Sequence, residues 1–96
     1  MRALLIQNLK IRLNWGLFEE RSGRFEDAQK IYEAALAVTS LDIPLQKQIA
    51  LKLLKLYEVQ GKRKEHQKRL AWAQSYFKGD LDVKNIQPMR LPASVK

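Results

Sequence analysis

Apolar residues along this 96-residue chain recur at three- and four-residue steps over four stretches, and, Gly16 apart, glycine and proline fall at their ends or between them. Such spacing predicts helices, because side chains three and four apart share one helical face. The first runs from about Arg2 to Ser22 and stops at Gly23, which can take the left-handed conformation a helix C-terminus needs. Gly16 inside it lowers its helix propensity. The second, about Phe25 to Thr39, lines up Ala28, Ile31, Tyr32, Ala35, Leu36 and Val38, with Glu26 and Asp27 in the first turn where the amide dipoles favour negative charge. Ser40 to Pro44 is a connector in which Asp42 can cap the third helix and Pro44 is tolerated in its first turn. That helix runs to about Gln60 with Ile49, Leu53, Leu56 and Tyr57 on one side and Leu51 and Leu54 widening the stripe. Gly61 ends it, and the fourth extends from about Lys62 to Lys78 before Gly79. Beyond Asp80 the apolar residues Leu81, Val83, Ile86 and Leu91 follow no helical spacing and Pro88 and Pro92 lie close together, so 80–96 reads as an extended tail.

The connections at Gly23-Arg24 and Gly61-Lys62 are short enough to turn consecutive helices back on each other, which predicts two antiparallel hairpins, about 2–39 and 42–78, in one domain of residues 1–79. The two glycines stand 38 residues apart, from 23 to 61, at the same place in each hairpin. Overlaying the halves on them puts Leu13 over Leu51, Trp15 over Leu53, Tyr32 over Leu70 and Ala35 over Ala73, apolar on apolar. That is the mark of an internal repeat whose units stack to share a core.

The first hairpin resembles the tetratricopeptide repeat (TPR) and its relative from RNA-processing factors, the half-a-TPR (HAT) repeat. Gly16, Gly23, Ala28, Tyr32 and Ala35 stand at the family's spacings, and Phe18-Glu19-Glu20 ahead of Gly23, followed by Ile31-Tyr32-Glu33 and Ala35-Leu36, is similar to the half-a-TPR version. Arg12 replaces the usual tryptophan and Glu19 the usual tyrosine. The second hairpin keeps Tyr57, Gly61 and Ala73 but has Leu54 and His66 where small residues are usual. The resemblance covers about Lys10 to Phe77 and implies an all-α, right-handed solenoid in which the small residues let helices approach and the Tyr32 ring fills the space between hairpins. Arg2-Ala3-Leu4 is similar to the end of a preceding repeat helix, the counterpart of Ala34-Ala35-Leu36; the other reading is simply a lengthened first helix.

Composition narrows the chemistry. With no cysteine, disulfide staples, thiolate catalysis and cysteine zinc sites are excluded. A hydrophobic fraction of 46% argues against wholesale disorder, and apolar runs such as Ala3 to Ile6 are far too short for a membrane span. His66, the one histidine, lies in the charged run 62–69 with no second ligand at metal spacing, so a packing role is expected. The carboxylates Glu19, Glu20, Glu26, Asp27 and Glu33 sit on helix surfaces, and no glycine-rich phosphate loop or serine nucleophile motif occurs. Neither catalysis, a cofactor nor a metal is expected.

Two binding readings remain. In tetratricopeptide proteins the first helices of successive hairpins line a groove, and the resemblance assigns that lining to Lys10, Leu13, Leu17 and Arg21, then Gln48, Leu51, Lys55 and Val59. Leu13 and Leu17 stand where chaperone-binding members carry a carboxylate clamp, so a protein segment with apolar anchors and some acidic character suits this lining better. The alternative is that the leucines pack inside the domain. The second reading starts from charge: 18 Lys+Arg against 10 Asp+Glu give +8, but residues 1–48 hold 7 basic and 6 acidic residues and residues 49–96 hold 11 and 4. On the fourth helix Arg69, Trp72 and Tyr76 share a stripe beside Lys68 and Phe77, a combination able to pair phosphates and stack RNA bases. Against it, Trp72, Tyr76 and Phe77 can close the end of the stack while Lys62, Arg63, Lys64 and Lys68 form a solvated face. Two hairpins fall short of the roughly three repeats an array needs, so Trp72 and Phe77 are expected against a cover: the tail, a second copy, neighbouring repeats or a partner. The first eighteen residues carry Arg2, Lys10 and Arg12 and no acid, as mitochondrial targeting segments do, but the same helix continues into repeat positions. An intracellular interaction scaffold is the expectation, in cytoplasm or nucleus ahead of mitochondrion, with an RNA-processing component as the alternative.

Overall fold

The computed structural model describes residues 2–37 and 42–87, with side chains from Leu9 onward, and over these residues the chain is all-helical. Helices α1 (Arg2–Arg21), α2 (Phe25–Leu36), α3 (Ile43–Gln60), α4 (Arg63–Tyr76) and a single turn, α5 (Leu81–Lys84), follow in order. Each packs against the next, and α1 also reaches α3. None of them is long and apolar enough to cross a membrane. The expected end of the second helix at Thr39, with Val38, lies outside the described residues.

One turn geometry occurs twice. Gly23 and Gly61 both hold positive φ, 81° and 72°, where a side chain would be strained. The Gly23 amide donates to the Glu20 carbonyl at 3.0 Å and the Arg24 amide to Glu19 at 2.9 Å; after α3 the Gly61 amide donates to Glu58 at 3.1 Å and the Lys62 amide to Tyr57 at 2.8 Å. These paired bonds are the Schellman closure, which satisfies carbonyls a helix end leaves open. Arg24 and Lys62 then share one backbone conformation (φ −88°, ψ 70° and φ −86°, ψ 76°) before the next helix starts. The 38-residue recurrence in sequence is thus also one of conformation. At the head of α3 the Asp42 carboxylate accepts the Leu45 amide at 3.0 Å, with Pro44 in the first turn where no intrahelical donor is lost.

The core is built by the middle helices. Ala28, Tyr32, Ala35 and Leu36 of α2 and Ile49, Leu53, Leu54, Leu56 and Tyr57 of α3 are buried, joined by Leu9 and Leu13 from α1 and Leu70 and Ala73 from α4. Gly16 sets the approach of α1 to α2: a Cβ built there would overlap the Tyr32 ring. The missing side chain is what lets a fully buried ring lie on the α1 backbone.

The extended tail expected from Asp80 is corrected over its described part. Asp80 caps α5, its carboxylate accepting the Asp82 and Val83 amides at 2.9 and 3.3 Å. Val83 is fully buried in the same cluster as Phe77, and Ile86 packs against it. Lys47 of α3 reaches Asp80 at 3.1 Å and Asp82 at 3.0 Å, which holds the Asp80 carboxyl below its usual range and the Lys47 ammonium above. The helical domain therefore extends past residue 79. A single turn has too few residues to show a 3.6-residue period, so spacing alone cannot reveal it. Residues 88–96 of that tail lie outside the described residues.

Candidate interaction surfaces

The groove assigned from the repeat pattern divides on folding. Lys10, Arg21, Gln48, Lys55 and Val59 are exposed and Leu17 and Leu51 are half-buried. Leu13 is buried in the core, which corrects its assignment to a surface a partner could touch. It sits on the side of α1 shared with Leu9 and Gly16, the side that meets α2. Leu17 and Leu51 pack against the same core with their outer edges uncovered.

On α4 the aromatic residues are brought together, with Tyr76 the exposed member. Trp72 and Tyr76 stack with centroids 5.0 Å apart and planes 12° from parallel, and the Arg69 guanidinium lies 4.9 Å from the Trp72 centroid. Since Arg69 lies one turn before Trp72 and Tyr76 one turn after, the indole stands between a cation and a phenol ring. The Tyr76 hydroxyl donates to Gln46 Oε1 at 2.9 Å. Phe77 is buried, edge-on to both Trp72 and Tyr76, and Trp72 is half-buried against the core. Arg63, Lys64 and Lys68 are exposed. Lys62 belongs elsewhere: its ammonium donates to Gln29 Oε1 at 2.8 Å and lies 3.5 Å from Glu26, tying the α3–α4 turn to α2.

A third surface was not singled out by the spacing. Ile11, Trp15 and Phe18, at i, i+4 and i+7 of α1, are 61%, 57% and 60% exposed. They form an apolar stripe on the side away from Leu9, Leu13 and Gly16, so α1 is apolar on two opposing faces. A helix apolar all round is ordinarily buried on all sides. The overlay that superposes Gly23 on Gly61 maps Ile11, Trp15 and Phe18 onto Ile49, Leu53 and Leu56, and those three are essentially fully buried. The same stripe is a core in α3, which packs on a helix before it and a helix after it, and an open surface in α1. Beside it, a shallow notch between α1 and α2 is lined by Arg12, Trp15, Lys30, Ile31 and Ala34. The Arg12 guanidinium donates to the Ala34 carbonyl at 3.3 Å. Arg24 lies 5.7 Å from the Phe18 centroid and is itself held by Glu19, with Nε at 2.9 Å from the carboxylate. The signal was in the wheel positions 11, 15 and 18, but spacing alone does not tell which apolar stripe another helix covers.

The interior polar groups are mostly paired. Tyr32 donates to Glu20 at 3.0 Å and Tyr57 to Glu33 at 2.5 Å; burial, with the carboxylate beside each, pushes both phenols well above their usual range. They are hydrogen-bond donors throughout the physiological range. Among the described residues no group of His, Asp and Glu is placed to hold a metal ion.

His66 is buried, and among the described residues its Nδ1 has no hydrogen-bond partner. Desolvation pushes its pKa down, with the Glu58 carboxylate opposing. In the unfolded chain the ring protonates near its ordinary value of about 6.5. Below that pH the unfolded state takes a proton that the folded state resists, so stability falls with pH from about 6.5 downward until the lower folded value is passed. Urea unfolding at pH 7.5 and 5.5 should show this loss, and His66→Leu should remove most of the difference. An equal pH slope in both proteins would refute the assignment.

Comparison with protein-family models, with curated proteins and with solved structures finds no match for the chain.

Proposed function

We propose that the chain is a helical-repeat module of tetratricopeptide or half-a-TPR type, two antiparallel hairpins closed by α5, and that it serves as a protein–protein interaction scaffold within a multi-protein assembly. The observation that carries this reading is the Ile11–Trp15–Phe18 stripe, exposed in the first unit and buried at the equivalent positions of the second. Contiguous exposed apolar side chains on a small protein mark a contact surface. The repeated Schellman turn supports the two-unit organisation. So do the dimensions of 52 × 33 × 17 Å, whose short axis matches two layers of helices with axes about 10 Å apart.

RNA contact through α4 is less well supported. A base stacks on an open aromatic face, and here Trp72 lies between Arg69 and Tyr76 and Phe77 is buried, which leaves the exposed side of Tyr76 as the one such face on α4 among the described residues. Lys62 is engaged with Gln29 and Glu26.

Purification of the tagged chain from its own cells, with and without nuclease and over rising salt, separates the two. A protein scaffold retains its partner after nuclease treatment and in about 0.5 M salt, where an RNA complex loses affinity by orders of magnitude. Charge reversal at Lys64, Lys68 and Arg69 should leave recovery within about twofold, since exposed cations contribute little to an apolar contact. Loss of the co-purifying protein on nuclease treatment, or on that charge reversal, would sink the scaffold reading.

A further inference from the structure

We infer that the α1 stripe is the seat of an acidic amphipathic helix from a partner protein, which lies on Ile11, Trp15 and Phe18 as α2 lies on α3. This rests on the two-unit reading above and adds the occupant. The form of the occupant comes from the overlay. Ile49, Leu53 and Leu56 are buried in α3, which has α2 packed before it, and α1 presents the same three positions exposed. A segment that fits this face is therefore helical, with apolar residues at i, i+3, i+4 and i+7 to pack into the ridge of α1. From Ile11 to Phe18 the stripe covers seven helical rises, about 10 Å at roughly 1.5 Å each, which two turns of a partner helix match.

Its charge comes from the border of the stripe. Lys10 on α1 and Lys30 on α2 are exposed and Arg12 lines the notch beside Trp15; of the acids nearby, Glu19 is held by Arg24 and Asp27 stands one turn before Lys30, which leaves the border net positive. A second copy of this chain would fit poorly. Two-fold pairing brings together two borders of the same net positive charge, which repel each other. Asp or Glu flanking an apolar ridge meets the same cations favourably and speeds the encounter. The indole of Trp15 is the anchor: large, half-uncovered and at the centre of the stripe, as residues that dominate binding energy usually are.

The test uses the full chain and two synthetic helical peptides of about 20 residues. They are identical in their Leu/Ala face and flanked by Glu in one and by Lys in the other. Fluorescence anisotropy should show the Glu-flanked peptide binding at least about tenfold more tightly than its Lys-flanked twin. Arg12→Glu with Lys30→Glu should reverse that preference, and Ile11→Asn with Phe18→Asn should abolish binding of both while the circular dichroism stays helical. Equal binding of the two peptides, or binding unaffected by the Ile11 and Phe18 changes, would overturn the inference. So would displacement of the peptide by a uridine oligomer, or sedimentation of the free chain as a dimer that Phe18→Asn splits. Failure here is distinct from failure of the scaffold reading: a co-purifying protein that persists in the stripe variant but is lost on Lys55→Glu and Val59→Asn leaves the scaffold intact and moves the contact to the groove.

Discussion

Gly16→Val should destabilise the chain by at least about 3 kcal/mol, and the smaller Gly16→Ala by about 1–3 kcal/mol, although both replace the poorest ordinary helix former in the middle of a 20-residue helix. On propensity alone alanine is favoured over glycine by about 0.8–1.0 kcal/mol. Packing opposes this. The nearest atoms to a Cβ at position 16 all belong to the Tyr32 ring. That ring is fully buried, and its hydroxyl is fixed on Glu20 at 3.0 Å, so it cannot swing aside into solvent. Overpacking a well-filled core costs about 1–3 kcal/mol, which exceeds the propensity gain, and a β-branched side chain adds atoms on the same side. The decisive measurement is a cycle with Tyr32→Val, whose side chain ends before the ring atoms that lie on Gly16. In that background Gly16→Ala should turn stabilising, by up to about 1 kcal/mol, because only propensity is left. Urea unfolding of the four proteins reads the sign directly. A stabilising Gly16→Ala in the wild-type background would mean that α1 does not rest on the Tyr32 ring.

The same pair of residues shows what was legible in the sequence. The resemblance implied that Gly16 lets helices approach and that the Tyr32 ring fills the space between hairpins; the close approach is seen at Gly16, but the ring that lies on it belongs to α2, the helix that follows α1. The four long helices were legible because each carries several turns of periodic apolar positions, and α1 and α3 end at glycines that the backbone uses at positive φ. α5 was not legible, because Leu81, Val83 and Ile86 occupy barely more than one turn. Burial was harder to read than conformation. Trp15 was matched to Leu53 by the register of the two turn glycines, yet one is exposed and the other buried, since the burial of a stripe is decided by the neighbouring helix and not by the stripe. Leu13, assigned to a groove, lies only a turn from Leu9 and Gly16 on the wheel and falls on their side of the helix. Lys62, counted within a charged run, lies at the turn between α3 and α4, where Gln29 of α2 comes within reach of its ammonium. In each case the missing information was a tertiary neighbour.

Val83→Asp should cost about 2–4 kcal/mol, and the size of the effect is set by how α5 is held. Val83 is fully buried and packs in the cluster that contains Phe77. Burial of one such side chain contributes about 1.5–3 kcal/mol, and an unpaired carboxylate in its place adds a desolvation penalty of similar size. A four-residue helix does not tolerate that penalty; it lets go. The loss is therefore capped at the docking free energy of α5: the burial of Val83 and part of Ile86, the cover over Phe77, and the ion pairs from Lys47 to Asp80 and Asp82. Those pairs lie at the surface, with Lys47 and Asp80 partly covered, and they contribute little beside the apolar burial. The cap gives a second, sharper expectation. Lys47→Ala should lower stability slightly in the wild-type chain and have no effect in the Val83→Asp chain, because its carboxylate partners have already left. Hydrogen exchange should show the corresponding change, with the Val83 and Lys84 amides losing protection in Val83→Asp while those of α2 and α3 keep theirs relative to the new global stability. If Lys47→Ala instead costs the same in both backgrounds, α5 stays docked around the substituted residue. The end of the helical stack would then be held by polar contacts and not by the burial of Val83 beside Phe77.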